Sequence, residues 1–300
     1  MTKNYITIGT FDGVHAGHRF LLNELEMQAA KARLKPLVLY FPLPPKTLLG
    51  DKPEMTVLTL PDEKKRYFRE LGTHTQALDF TTCRKMSAEK FFKDILLKQF
   101  DMGGLIVGAD FALGKDREAG ADWLRACCEA EKIPFETARF YKTGTQKISS
   151  SLIRKTLASG DIEGANLLLG RPYEVTGKVV KGKQLGRTLG FPTANLDTGL
   201  YKILPLGVFA VKVRVGEKLY DGFCNIGFRP TVNSIDGSLP LVEVHIFDFD
   251  ADIYGKNITI WFADKLRNET KFDTLPALVA QLKQDRKDAK KILKKFHRNR

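Results

Sequence analysis

GTFDGVHAGH, residues 9–18, is the most informative stretch in the first half of the chain. The apolar run YITIGT leads into it and is typical of a buried strand, and a helix is expected to begin near Gly17. A strand that turns into a helix in this way presents free backbone N–H groups and the positive end of a helix dipole, which favour a phosphate. The turn is therefore a candidate phosphate site, to which the imidazoles of His15 and His18 could add hydrogen-bond donors.

The rest of the first 150 residues alternates strand-like and helix-like segments. Strands are expected at PLVLYF, QALDF, LIVGAD and FETARF, with helices between them. This order predicts a parallel sheet with crossover helices, the α/β class. Ligands gather outside the carboxyl ends of the strands in such sheets, and GTFDGVHAGH, FPLPP (41–45) and GADFALG (108–114) all begin at that edge.

The second half has a different pattern. ISSSLIRKTLASGDIEGANLLLG is expected to form two short helices, and the pattern changes at Arg171 and Pro172. Short alternating runs such as YEVTGKVV, FAVKVRV, LVEVHIF and ITIWF then follow, separated by Gly, Pro and Asn, which predicts a small β-barrel. A helix is expected over 275–296. A chain of 300 residues favours two domains, which we place at 1–170 and 171–300.

The composition is that of a globular protein, with 43% hydrophobic and 28% charged residues. The chain has no apolar run near the roughly 20 residues that cross a bilayer, and its first residues lack a basic and then apolar leader. We therefore expect a cytoplasmic protein. The four cysteines include no CxxC pair, so neither a disulfide framework nor a zinc site is favoured.

Much of the net charge of +13 is concentrated near the end of the chain. Residues 283–300 contain nine Lys or Arg against two Asp, a net charge of +7. A solvated helix face is the favoured explanation, and a patch for RNA or a membrane surface is the alternative. No aromatic interleaving or nucleic-acid motif supports that alternative.

Two motifs of the first half carry a family resemblance. GTFDGVHAGH resembles the GxFDGxHxGH signature of bacterial FAD synthetases, which join a Rossmann-like nucleotidyltransferase domain for FMN adenylylation to a riboflavin kinase barrel. ISSSLIR (148–154) resembles the ISSTxxR of the same family. The resemblance implies that His15 and His18 are catalytic and stabilise charge at the α-phosphate of ATP. It also implies nucleotide or phosphate contacts from Gly9, Thr10, Phe11, Gly17, Asp110, Ser149, Ser150, Ser151 and Arg154.

Two loops of the first half depart from the family pattern. FPLPP lacks the histidine of the family's FxPHP, and VGADFALG lacks the second aromatic residue of VGxDFxFG. These changes leave the rate of adenylylation and the selectivity for flavin open.

KMSAE (85–89) is similar to the KMSKS loop of class I aminoacyl-tRNA synthetases. Ser87, however, directly precedes an amphipathic run with helical spacing. A helix N-cap is therefore the favoured interpretation of this serine.

The stretch GKVVKGKQLGRTLGFPTANL (177–196) combines four glycines with a Pro-Thr-Ala-Asn turn. Glycine lets a backbone approach phosphates, and Thr and Asn oxygens suit Mg²⁺. The stretch resembles the riboflavin kinase signature GxxxGRxLGFPTANL, which implies that Thr193 and Asn195 contact Mg-ATP. ATP contacts are further implied for Gly186, Arg187, Gly190 and Pro192.

Three later motifs stand in the order of the kinase family: NIGFRPT (225–231), VEVHIFDFDADIYG (242–255) and LRNETKF (266–272). The resemblance implies that Glu243 is the catalytic base, which accepts the proton of the ribityl 5′-hydroxyl. It implies flavin contacts from Asn225, Arg229 and Arg267. For Arg267 the alternative is an ion pair with Glu269 or another neighbour.

The predicted function is therefore ATP- and Mg²⁺-dependent phosphorylation of riboflavin to FMN, followed by adenylylation of FMN to FAD. One alternative is a kinase that has weak or lost FAD synthesis, and another is a basic RNA-binding protein on a retired scaffold. Only the small-molecule substrates are expected as partners, with no nucleic acid, membrane or obligate protein partner.

Overall fold

The computed structural model describes residues 2–49, 57–114, 118–139, 141–143, 146–182, 184–228 and 240–296. The chain divides into two compact units, Met1–Ser150 and Ser151–Arg300, and each unit contains its own hydrophobic core. This division precedes the boundary that we place at 170/171, which stays a prediction for the functional domains. No helix within the described ranges has the length and apolar character needed to cross a bilayer.

The first unit is built from short strands and the helices that connect them. Its strands are β1 (Asn4–Gly9), β2 (Lys35–Tyr40), β3 (Thr75–Ala77), β4 (Met102–Gly108), β5 (Ala112–Leu113), β6 (Ala119–Gly120), β7 (Phe135–Ala138), β8 (Lys142–Thr143) and β9 (Gln146–Lys147). Its helices are α1 (Ala16–Ala32), α2 (Pro45–Leu49), α3 (Pro61–Glu70), α4 (Phe80–Cys83), α5 (Ala88–Lys90), a π-helical segment (Phe91–Gln99) and α6 (Ala121–Ala130). Helix α7 (Ser150–Ser159) begins at the last residue of this unit.

Five of these strands form one parallel sheet in the order β3-β2-β1-β4-β7, as the alternating pattern predicts. Ile6 of β1 pairs with Leu37 on one side and with Leu105 on the other. Because β2, β1 and β4 are neighbours, the loops that follow them meet at one edge of the sheet. The strand order reverses between β1 and β4, which is where such sheets bind ligands.

Ser87 is the N-cap of α5, as predicted, and its side chain accepts the backbone N–H of Lys90. The amphipathic run after Ser87 begins as α5 and continues as the π-helical segment. Phe91, Phe92 and Leu96 are buried in the core. The serine of KMSAE therefore begins a core-packed helix.

The second unit contains a closed barrel of six strands. Its elements after α7 are α8 (Ile162–Leu169), β10 (Glu174–Val180), α9 (Leu185–Thr188), β11 (Ala194–Asp197), β12 (Gly207–Val215), β13 (Lys218–Gly227), β14 (Leu241–Ile246), β15 (Asn257–Arg267) and α10 (Leu275–Phe296). The strand order around the barrel is β10-β11-β14-β13-β12-β15, and all pairs are antiparallel. The predicted small β-barrel and the predicted terminal helix are confirmed, and the barrel has six strands.

Helix α10 covers one side of the barrel. It packs against β12, β13 and β15, and its Ala289 and Leu293 are fully buried. Strand β12 is therefore buried on both faces over its first seven residues. A strand with one solvent-exposed face would instead alternate buried and exposed residues.

Candidate active sites

The histidine turn joins β1 to α1 in the first unit. His15 is the N-cap of α1, and its Nδ1 accepts the backbone N–H of His18 at 3.2 Å. The two imidazole rings stack with centroids 3.6 Å apart and planes 14° apart. In a neutral ring whose Nδ1 is an acceptor, Nε2 carries the proton. The cap therefore fixes the orientation of the His15 ring, which is only 5% exposed, and places the proton of a neutral ring on Nε2.

Glycines allow the turn to fold tightly. A Cβ at Gly9 would lie 3.2 Å from the ring of Phe11, and a Cβ at Gly17 would lie 3.2 Å from the ring of His15. The same Cβ of Gly17 would be 3.5 Å from the carbonyl oxygen of Ile148. The first turn of α1 thus lies against the start of the ISSSLIR motif.

The serine motif is tied to the histidine turn by Ser150. Its hydroxyl donates to the carbonyl oxygen of Asp12 at 2.8 Å. Ser149, which is half-buried, directly precedes it, and the exposed Ser151 and the half-buried Arg154 follow on α7. The structure therefore brings Ser150 to the turn, and its hydroxyl proton is used by a backbone carbonyl.

Asp110 lies in the loop after β4. Its carboxylate forms an ion pair with Lys147 of β9 at 2.8 Å, and the Asp110 side chain is 71% exposed. Because Lys147 precedes Ile148, this pair links the GADFALG loop to the ISSSLIR motif. A nucleotide contact from Asp110 stays a prediction.

The barrel carries a row of polar residues across three adjacent strands, which we call the polar row: Asn195 of β11, Glu243 of β14 and Asn225 of β13. Asn195 pairs directly with Glu243, and Glu243 pairs directly with Asn225. Residues directly opposite one another on neighbouring strands project their side chains from the same face. The carboxyl group of Glu243 therefore lies between two amide side chains.

The two asparagines of the polar row have oxygen atoms that fit a ligand. The Oδ1 atoms of Asn195 and Asn225 are buried and have no hydrogen-bond partner among the residues that the structure describes. Asn195 is 5% exposed. Buried polar atoms are nearly always satisfied in folded proteins, so two such oxygens beside one carboxylate indicate a binding site.

The glycine-rich stretch folds closely over the metal-binding candidates. A Cβ at Gly182 would overlap the side-chain amide of Asn195, and a Cβ at Gly186 would overlap the carbonyl of Phe191. Thr193 Oγ1 would be 3.5 Å from that Cβ of Gly186. Gly190 has a left-handed φ of 78°, which favours glycine. Arg187 is exposed on α9.

Pro192 is held in place by His245. The carbonyl oxygen of Pro192 lies 2.8 Å from Nδ1 of His245, which is 4% exposed. The imidazole packs among the rings of Phe191, Phe223 and Phe247. Burial lowers the pKa of His245, and only part of this effect is opposed by the bond to Pro192. A neutral imidazole therefore supports the segment that carries Thr193.

Arg267 is engaged within the fold. Its guanidinium forms a two-pronged ion pair with Asp285 of α10, with Nε–Oδ1 at 2.9 Å and Nη2–Oδ2 at 2.8 Å. Glu269, the expected alternative partner, instead accepts the side-chain amide of Asn225 at 2.9 Å. Flavin contacts from Arg267 and Asn225 stay predictions, and Arg229 lies outside the described residues.

Comparisons with known proteins agree with this arrangement of two sites. The family model for FAD synthetase matches residues 1–152, and the model for riboflavin kinase matches residues 169–293. A bifunctional riboflavin kinase/FMN adenylyltransferase of Haemophilus influenzae is 36% identical over 291 residues, which cover 95% of this chain and 92% of that protein. The chain belongs to the bifunctional riboflavin kinase/FMN adenylyltransferase family.

Other members of this family are similarly close. The proteins of the same name from Escherichia coli and Bacillus subtilis are 36% and 34% identical, and each alignment covers 96% of this chain and 92% of the relative. The crystal structure of a macrolide-efflux protein from Streptococcus pneumoniae is 30% identical with a TM-score of 0.84, and the match covers 97% of this chain and 95% of that one. The likeness thus extends over nearly the whole fold.

Some residues that organise the sites of this family member were missed by sequence reasoning. Thr59 and Lys64 contact the histidine turn, and Asp285 pairs with Arg267. Thr59 stands in the short run VLTL (57–60), and Lys64 and Asp285 stand in segments expected to be helical, so the local sequence pattern indicates none of these contacts. Their roles follow from tertiary structure.

Proposed function

We propose that this chain phosphorylates riboflavin with ATP to give FMN, and then adenylylates FMN with a second ATP to give FAD and pyrophosphate. The observation that carries the proposal is that one chain holds two separate polar sites, the stacked histidines after β1 and the polar row of the barrel. Membership of the bifunctional family supports both activities.

In the kinase site, Glu243 accepts the proton of the ribityl 5′-hydroxyl as that oxygen attacks the γ-phosphate. Asn225 and Asn195 flank the carboxylate of Glu243. Asn225 would contact the flavin on one side of it, and Asn195 would contact the nucleotide on the other. The bond between the γ-phosphorus and the bridging oxygen breaks, and ADP leaves. Arg187, Gly186 and Gly190 are proposed to contact the ATP phosphates.

The donor set fits Mg²⁺. Asn195 Oδ1 is a buried oxygen without a partner in the described part of the chain, and Thr193 supplies a hydroxyl nearby. Mg²⁺ prefers oxygen ligands and keeps several waters, so Thr193 and Asn195 would hold it together with phosphate oxygens. When bound, the ion would neutralise charge on the transferred phosphoryl group.

In the adenylylation site, a phosphate oxygen of FMN attacks the α-phosphorus of ATP, and the bond to pyrophosphate breaks. His15 Nε2–H, His18 and the backbone N–H groups at the start of α1 stabilise the negative charge on the α-phosphate. Ser150 fixes the start of α7 against the turn through Asp12. Ser149, Ser151 and Arg154 are proposed to hold the leaving pyrophosphate.

The test is to incubate the purified chain with riboflavin, ATP and Mg²⁺ and to separate riboflavin, FMN and FAD by chromatography over time. FMN should appear first and FAD should follow. FMN without FAD would support the kinase activity and refute the adenylylation. The altered FPLPP and GADFALG loops are the reason for testing this outcome. Neither product would refute the whole proposal.

We further propose that the enzyme acts in the cytoplasm without a nucleic-acid partner. All four cysteines are free thiols, which fits a reducing compartment. Part of the basic charge of α10 is used within the fold, because Arg286 and Lys290 both pair with Asp248. RNA binding that weakens steeply with salt would contradict this proposal.

A further inference from the structure

The histidine turn has an unusual backbone. Phe11 and Val14 have left-handed φ values of 47° and 37°, and Gly13 between them has a φ of 89°. L residues with a side chain rarely adopt this region, and a β-branched residue such as Val14 is a marked outlier there. Such conformations persist only where the surrounding structure imposes them, and they concentrate at functional sites.

Residues 58 and 59 impose the turn from one side. The carboxylate of Asp12 accepts the backbone N–H of Leu58 at 3.0 Å and that of Thr59 at 3.1 Å. The hydroxyl of Thr59 accepts the N–H of Gly13 at 3.0 Å and donates to Asp12 at 3.3 Å. Asp12 and Thr59 are each 1% exposed, so these bonds are shielded from water. Thr59 therefore holds both the side chain of Asp12 and the backbone N–H of Gly13.

Lys64 of α3 imposes the turn from the other side. Its Nζ donates to the carbonyl oxygens of Thr10 at 2.7 Å, Phe41 at 2.9 Å and Pro42 at 2.9 Å. An ammonium has three protons, and all three are used by these carbonyls. Lys64 is fully buried and cannot contact a substrate. It joins the residue before the turn to the loop after β2.

Lys64 remains charged near neutral pH. Burial lowers its pKa to about 8, and the carboxylate of Asp12 opposes this shift. At pH 7 the three hydrogen bonds are therefore made mainly by the ammonium form.

We propose that Thr59 and Lys64 are positioning residues for adenylylation, which hold the strained backbone of residues 11–14 so that His15 and His18 face the α-phosphate. The inference rests on the proposed adenylylation function. Neither residue touches substrate, and each acts through backbone groups of the turn. A displacement of about 1 Å at a reacting group costs on the order of 10²-fold in rate.

The experiment compares Thr59→Val with Thr59→Ser in the full chain. Valine keeps the shape of threonine and removes the hydroxyl, whereas serine keeps the hydroxyl and removes a methyl group. Thr59→Val should lower kcat for FAD formation from FMN and ATP by roughly 10- to 100-fold, with a smaller change in KM for ATP. Thr59→Ser should restore most of that rate, which a packing role for the methyl group would not predict.

Thr7→Val is the matched control. Thr7 lies in β1 and is fully buried, and its hydroxyl has no hydrogen-bond partner among the residues described. The same chemical change there should leave FAD formation unchanged. Phosphorylation of riboflavin by the same molecules reports on the second site and should be unchanged in all three variants.

Lys64→Gln is a second variant in case Thr59→Val does not fold. Glutamine keeps two donors for the three carbonyls, so FAD formation should fall while phosphorylation persists. The inference is overturned if Thr59→Val forms FAD at the wild-type rate, if Thr59→Ser is as impaired as Thr59→Val, or if Lys64→Gln is fully active. A wild-type chain that forms no FAD would instead refute the proposed adenylylation.

Discussion

Nδ1 of His15 accepts the backbone N–H of His18, and this bond both caps α1 and leaves Nε2 as the proton-bearing nitrogen. Asparagine is a favoured N-cap residue whose side-chain oxygen can accept the same N–H. His15→Asn should therefore keep the helix cap and remove the Nε2–H donor, because the shorter asparagine amide does not reach the position of Nε2.

We expect His15→Asn to lower FAD formation from FMN by about 10²-fold or more, because a fixed donor to the transition-state charge is lost. His15→Ala should in addition lose the cap, at a cost of about 1 kcal/mol. Separate assays of FAD and FMN formation measure the loss of activity. Thermal unfolding of the two variants measures the loss of stability that follows from removing the helix cap. An active His15→Asn variant would contradict a catalytic role for the ring.

Glu243→Gln tests the base in the polar row. The amide has the shape of the carboxylate and cannot take up a proton, so FMN formation should fall by about 10²- to 10⁴-fold. FAD formation from supplied FMN should persist, since none of the residues proposed for adenylylation belongs to the barrel. Equal loss of both activities would contradict the assignment.

Gly182→Ala tests the packing of the glycine-rich stretch against Asn195. The added methyl group would overlap the Asn195 amide, which must move away from its present position. The KM for ATP in riboflavin phosphorylation should rise about 10-fold, equivalent to about 1.4 kcal/mol. Gly120→Ala is the control, because a Cβ there meets open space and φ is −93°. Normal ATP saturation in Gly182→Ala would argue against a nucleotide role for Asn195.

Asp285→Asn tests the ion pair between α10 and β15. Asp285 is 3% exposed and receives both prongs of the Arg267 guanidinium. Removing its charge leaves Arg267 uncompensated, and the free energy of unfolding should fall by about 3 kcal/mol. Denaturant titration measures this free energy. Asp62→Asn is the control, because the side chain of Asp62 is exposed and its loss of charge should shift the midpoint little. An unchanged midpoint for Asp285→Asn would show that the pair contributes nothing.

His245→Phe tests the pH dependence of stability. Because burial lowers the pKa of His245 below its ordinary 6.5, the unfolded chain binds a proton more readily than the folded one. The contribution of the neutral His245 to the free energy of unfolding is fully present above pH 6.5. It is lost as the pH falls from 6.5 through the lower pKa of the folded state. The charges nearby are Arg286, which lowers this pKa further, and Asp248, which raises it.

Unfolding free energies of the wild type and of His245→Phe should therefore converge as the pH falls from 7 to 5. A difference between the two proteins that is independent of pH would contradict a neutral, buried imidazole. Phenylalanine suits the aromatic surroundings but removes the donor to Pro192, so the variant should be less stable at pH 7.

The local pattern of the chain predicted most of the architecture. The expected terminal helix coincides with α10, and the expected sheet and barrel are both present. Periodic burial is a local property, because each residue's face depends on its neighbours along the chain. The short pairs β5-β6 and β8-β9 and the π-helical segment were not predicted, since two-residue strands and helix winding leave no periodic signal.

The family motifs likewise placed His15, His18 and Glu243 among the candidate catalytic residues before any contact was known. Folding added the partners that hold them. Gly13 and Thr59 are 46 positions apart, and Asn225 and Glu243 meet only through the register of β13 with β14. Such contacts depend on how distant segments pack and on which strands become neighbours. The local order of residues determines neither of these.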